Sequence, residues 1–139
     1  MKIMKITREL KQKAAKIARK HHLSLMIIFG SQAQGKIHPK SDIDIAVLPA
    51  KTIKDVSMKI YSDFLGDMGK IFPGAKVDIA LIPLADPFLL DNIAKSGQLL
   101  FGKKIDFVKF QLRAFNRFQD YLPYFKLEEK SVHSLIRQF

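Results

Sequence analysis

Two short runs limit what this chain can fold into. SDIDIAVLP at 41–49 and KVDIALIP at 76–83 have the composition of buried strands, yet both carry aspartate. Each closes on a proline, which cannot continue a central ladder. Strand alternation puts Asp42, Asp44, Ala46 and Leu48 on one face of the first run and Ile43, Ile45 and Val47 on the other. Aspartate is depleted in strands, and two unpaired carboxylates on one half-buried face would repel each other and lose hydration. A cation is expected beside them.

The segment between the runs decides how they pair. Ile53, Val56, Ile60, Phe64 and Met68 recur every three to four residues and predict a helix over about 52–69. A helical crossover between strands at 42–48 and 77–82 permits a right-handed connection and parallel pairing. Asp78, which shares a face with Ala80 and Ile82, then comes beside Asp42 and Asp44. Three converging carboxylates suit hard divalent cations such as magnesium, and two such ions can clamp an in-line phosphoryl displacement. On the D-x-D alone a plainer reading stands equally: acids at strand ends, in water or paired with lysines.

The residues before the D-x-D shift that balance. LSLMIIF at 23–29 reads as a buried strand stopped by Gly30, and GSQAQGKIHPKSDID places ten residues between Ser31 and Asp42. A glycine at a strand end allows close backbone approach, and the amides and hydroxyl of a glycine-serine turn suit phosphate oxygens. Thr7 to about His22, with Leu10, Ala14, Ile17 and Ala18 on one stripe, predicts a first helix capped by Thr7. Asp86 and Pro87 make a cap and first turn for a short helix ending at Gly97, and QLLF at 98–101 follows as a fourth strand. The order α-β-β-α-β-α-β with a tail is an α/β (α+β) layer of sheet flanked by helices.

In this order, Gly30, Ser31, Asp42, Asp44 and Asp78 resemble the signature of the minimal nucleotidyltransferases of the DNA polymerase β-like superfamily. The resemblance covers about residues 5–102. It implies a small mixed sheet, a nucleotidyltransferase core over 1–102, and a C-terminal helical extension over 103–139 packed on it. It further implies that Asp42, Asp44 and Asp78 hold two magnesium ions and that Gly30 and Ser31 hold the phosphates of ATP. Asp78 serves there as ligand to the metal used by the attacking hydroxyl. The family often has arginine where this chain has Gln34, a missing charge that Lys36 or Lys40 of the same loop is placed to supply. ADPFLLDNIAKSGQLLF at 85–101 looks like the matching segment of HEPN/MNT antitoxins, some of which transfer AMP to a tyrosine of a HEPN-domain ribonuclease toxin. That implies a HEPN toxin as partner. Transfer to a small hydroxylated molecule, or neutralisation of a toxin by binding alone, are the alternatives.

Composition narrows the remaining classes. The chain has 139 residues, no cysteine and a net charge of +11. A single domain is expected, without disulfides, zinc–thiolate sites or a cysteine nucleophile. MKIMKITRELKQKAAK lacks the apolar core of a signal peptide, and no segment approaches the roughly 18 to 20 apolar residues of a membrane span. A soluble, cytoplasmic protein is expected. Residues 1–22 hold eight Lys/Arg against one acid and residues 103–139 eight against four, so the basic excess belongs to the two ends. It favours acidic partners; RNA ranks below nucleotide and protein. His21 and His22 read as exposed or dipole-compatible residues ending a basic helix, and His38 as a loop residue. The tail holds eight of the fourteen aromatics, with Val108, Leu112, Phe115 and Leu122 at helical spacing and Phe107, Phe110, Phe118 and Tyr121 also available, more than one helix can bury on one stripe. Most are expected in the core, the remainder on a partner or self-association surface.

Overall fold

The structure is a computed structural model, and it describes residues 6–30, 42–51 and 56–138. Thr7 starts α1 (Arg8–Lys20), its side-chain oxygen accepting from the Leu10 amide at 3.1 Å. His22 at φ 55 turns the chain into β1 (Leu23–Phe29). β2 (Ile43–Pro49) runs antiparallel to β1, with Leu25 opposite Leu48 and Phe29 opposite Asp44. Ser57 caps α2 (Met58–Ile71) through the Ile60 amide at 3.2 Å. The second helix therefore starts later than its apolar repeat predicts, and residues 52–55, including Ile53, lie outside the described residues.

β3 (Val77–Leu81) pairs parallel to β2, as the crossover requires. A 3-10 turn at Ile82–Leu84, which the apolar pattern concealed, leads to α3 (Pro87–Ser96). Asp86 caps α3 by accepting from the Leu89 amide at 2.8 Å. β4 (Gln98–Phe101) returns antiparallel beside β1, and the chain ends in α4 (Lys104–Arg137). The sheet order is β3-β2-β1-β4, mixed, with β3 and β4 at its edges.

Two apolar layers sandwich the sheet. Ala14, Ala18, Phe64 and Met68 of α1 and α2 cover Met26, Ile28, Ile43, Ile45 and Val47. Leu90, Ile93, Phe110 and Ala114 of α3 and α4 cover Leu25, Ile27, Phe29, Ala46 and Ile82 on the other face. Each fully buried large aliphatic side chain contributes about 1.5–3 kcal/mol relative to exposure, so β1, buried from Leu25 to Phe29, is the sheet's centre of stability.

The tail departs from its prediction: of its described aromatics only Phe110 is buried, whereas most were expected in the core. Its inward stripe is Phe107, Phe110 and Ala114, whereas Val108, Leu112 and Phe115 face outward, the last two 59% and 53% exposed. A small residue, Ala114, permits close contact with the sheet, and the bulkier neighbours are rotated away by one helical step. Phe118, Tyr121 and Phe125 instead ring Phe88 of α3 edge-on, with centroids at 5.7, 5.4 and 4.9 Å.

Candidate active site

The candidate site lies where β1 ends and β2 and β3 begin. Asp44 and Asp78 are Cα partners across the parallel ladder, which puts their backbones about 4.8 Å apart. Both point to the α3/α4 side, since Ala46 and Ala80 on the same strand faces belong to that layer. Asp42 precedes β2 on the same alternation. Asp44 is half-buried, whereas Asp42 and Asp78 are exposed. Burial first, then the charges of Asp78 and Asp42, pushes the Asp44 carboxyl above its ordinary range. Asp44 thus senses the other two acids.

Gly30 closes this corner. Its φ of +77 is one that side chains rarely adopt, and a Cβ there would lie 2.7 Å from Asp44 Oδ2. The glycine therefore serves two needs: a left-handed turn out of β1 and room for the second aspartate. Its amide donates to Ser96 Oγ at 3.3 Å, and Ser96 in turn donates to the Asn92 carbonyl at 2.7 Å. This tie between the turn and the end of α3 was missed in the sequence, where Ser96 reads only as the last residue of a helix. The Gly30 amide is thus already engaged by protein. Ser31, Gln34, Lys36, His38 and Lys40 lie outside the described residues.

Among the described residues no three His, Cys, Asp or Glu side chains are gathered closely enough to hold a metal by themselves. The donor set still fits magnesium, which is commonly held by one or two carboxylates plus substrate phosphates rather than by an all-protein cage. Hard oxygens, mutual repulsion and a raised Asp44 carboxyl describe a place where a cation lowers the energy of the acids. Beyond Asp78, the edge strand β3 flanks an open apolar cavity of about 610 Å³ between Tyr61, Ile79, Leu84 and Leu89. Among the described residues no strand pairs with the outer side of β3, beside the third acid.

His21, His22 and His133 stand apart from this corner. His21 caps the end of α1 and is half-buried, its side chain 8% exposed, held at 2.8 Å from Asp67 of α2 and edge-on to Phe64. His21 and Asp67 are 46 residues apart, so the sequence gave no short-range signal for this pairing. His133 lies exposed on α4.

The sequence model of the family described as "Polymerase beta, Nucleotidyltransferase" matches residues 12–118. No curated protein matches the sequence significantly. Among solved structures, one described as the toxin-antitoxin with AMP-PNP is 25% identical, covers 91% of this chain and 98% of its own, and has a TM-score of 0.71. The toxin-antitoxin MntA-HepT is 21% identical over 94% of this chain and 99% of its own, with a TM-score of 0.66. A tri-AMPylated Shewanella oneidensis HEPN toxin in complex with MNT antitoxin is likewise 21% identical over 94% and 98%, at TM-score 0.66.

Proposed function

The chain belongs to the polymerase beta nucleotidyltransferase family, and on that premise we propose that it is the antitoxin of a toxin–antitoxin pair, transferring AMP from ATP to a tyrosine of a HEPN-type toxin. The observation that carries the reading is the register Asp44 to Asp78, which sets the D-x-D and the third acid side by side at the Gly30 turn. The similar structures with AMP-PNP and with an AMPylated HEPN toxin support the nucleotide and the acceptor class.

Asp42 and Asp44 would hold magnesium, with Asp78 completing the acceptor side. When bound, the metal supplies charge neutralisation on the phosphates and on the attacking oxygen. Asp44, half-buried and fixed between β1 and β3, orients the set. Asp78 lies on the edge strand, so it is the acid that a large acceptor can reach, and it positions the tyrosine hydroxyl for in-line attack. The bond from the tyrosine oxygen to the α-phosphate forms as the bond to pyrophosphate breaks, and the hydroxyl proton leaves to water. Ser31, Lys36 and Lys40 would flank the leaving phosphates. The edge position favours a protein acceptor over a small hydroxylated molecule, which needs a closed pocket around it.

Incubation of the protein with MgATP and a purified HEPN-type partner tests this. The partner's intact mass should rise by one or more AMP units. Asp42→Asn and Asp44→Asn should abolish both metal-dependent ATP binding in calorimetry and transfer, whereas Asp78→Asn should keep much of the binding and lose transfer. An unmodified partner that is nevertheless inhibited would replace this reading with neutralisation by binding.

A further inference from the structure

The two basic ends, far apart in sequence, meet in space. α1 delivers Lys11 and Arg19, and the start of α4 delivers Lys103, Lys109, Arg113 and Arg117, around the end of the sheet where β1 begins and β4 ends. Two cavities lie between these cations. One, of about 430 Å³, has a floor of Leu25, Leu48, Leu90 and Phe110 under the Lys109, Arg113 and Arg117 row. The other, of about 630 Å³, runs past Lys11, Arg19 and Lys103, and the two share Ser24 and Asp106. Leu48 is four residues along β2 from Asp44, about 13 Å, so this end is opposite the acids.

The six cations are exposed, and among the described residues none of them forms an ion pair. Lys13, Lys20 and Lys95, by contrast, each find an acid. Asp106 is the single acid lining either cavity. Like charges at i and i+4 destabilise a helix slightly, and in the row Lys109, Arg113 and Arg117 the flanking Asp106 and Asp120 stand at i, i+3 from its two ends only, leaving Arg113 with no acid at that spacing. The row spans about 12 Å, and carboxylates at i, i+4 and i+8 of another helix repeat at the same interval.

We propose that this end of the molecule is a docking site for an acidic amphipathic helix of a protein partner, its carboxylates on the Lys109–Arg113–Arg117 row and its aliphatic side chains in the cavity beneath. Charge complementarity selects an anion, and the aliphatic floor selects among anions. Nucleic acid would satisfy the cations but offers phosphates where the floor needs aliphatic carbon, and no exposed aromatic stands at these cavities for bases to stack on. A membrane surface meets protruding apolar groups, whereas these are recessed.

Fluorescence anisotropy with the full chain tests the site. The probe is a labelled helical peptide of about 20 residues with Glu at i, i+4 and i+8 flanked by Leu. It should bind saturably. Arg113→Glu with Arg117→Glu, both exposed and checked for intact fold by circular dichroism, should weaken it at least about tenfold, as should replacing Glu by Gln or Leu by Ser in the peptide. ATP binding should be unchanged in the double variant, which separates this site from the acids. Absence of saturable binding, or binding indifferent to the charge reversal, would overturn the proposal. Tighter capture of oligouridylate or of anionic vesicles, lost in the same variant, would reassign the surface to RNA or lipid.

Discussion

At the scale of single residues, Gly30 and Asp44 form one unit. Gly30→Ala forces a Cβ to within 2.7 Å of Asp44 Oδ2 at a φ of +77, so the carboxylate, the mobile partner, must move. The backbone strain alone costs about 1–3 kcal/mol. Urea denaturation should show that loss, and calorimetry should show a larger proportional loss of MgATP binding, because the displaced group is a proposed ligand. Asp44→Asn should act in the opposite sense on stability. Its folded-state carboxyl is raised, so ionisation of Asp44 weakens the fold as pH rises through that raised value. Removing the charge should therefore raise the apo protein's unfolding free energy near neutrality, by under about 1 kcal/mol after solvent screening, while ending nucleotide binding. The acids and the glycine were legible in the sequence because each breaks a local rule: aspartate in a strand, glycine at a strand end. Ser96 broke none. Its bond to the Gly30 amide spans 66 residues and exists only once β1 and α3 are packed.

At the scale of elements, α1 and α2 are clasped by Asp67, which takes hydrogen bonds from Lys20 at 2.9 Å and His21 at 2.8 Å. The His21 bond first, then that of Lys20, holds the Asp67 carboxyl below its ordinary range. A depressed carboxyl stabilises the fold above the unfolded-state pKa and loses that contribution as pH falls through the folded value. Asp67→Asn should accordingly cost about 1–2 kcal/mol at neutral pH and leave a flatter stability curve in acid, read from denaturation midpoints between neutrality and the low end of the carboxylate range. A second element boundary depends on Gly102, at φ +127, where a Cβ would lie 2.6 Å from Leu25 Cδ2 and 2.7 Å from the Ser24 carbonyl. Gly102→Ala should destabilise by about 1–3 kcal/mol by prising the start of α4 from β1. The helices and strands followed from caps and periods: Thr7, Asp86 with Pro87, and the apolar run at 23–29 fall where those signals put them. The α4 stripe did not, because Phe107, Phe110 and Ala114 compete with an equally periodic outward set, and only the sheet decides between them.

At the scale of the whole molecule, stability and function are distributed along the sheet. The acids gather at one end, the unpaired cations at the other, and β1, which touches both, is the most buried element. The acidic pole was legible in the sequence and the basic one was not: the charge excess showed, but the meeting of residues 11–19 with 103–117 depends on β4 closing beside β1. α4 reaches beyond this body. Its contacts with the core end at Ala114 and those with Phe88 at Phe125, and from Pro123 through Gln138 every residue is exposed. Pro123 also removes one i to i−4 bond within the helix. A helical stretch of this length without packing is marginal in water. Amides after Lys126 should therefore exchange with solvent far faster than those of 107–116 in native-state hydrogen exchange. Ending the chain after Lys126 should change unfolding free energy by less than about 1 kcal/mol, leaving MgATP binding intact. Equal protection along all of α4 in the isolated protein would mean that the distal half is packed in solution, and its exposed Leu127, Val132, Leu135 and Ile136 would then be buried against a second copy, which sedimentation would detect as a dimer.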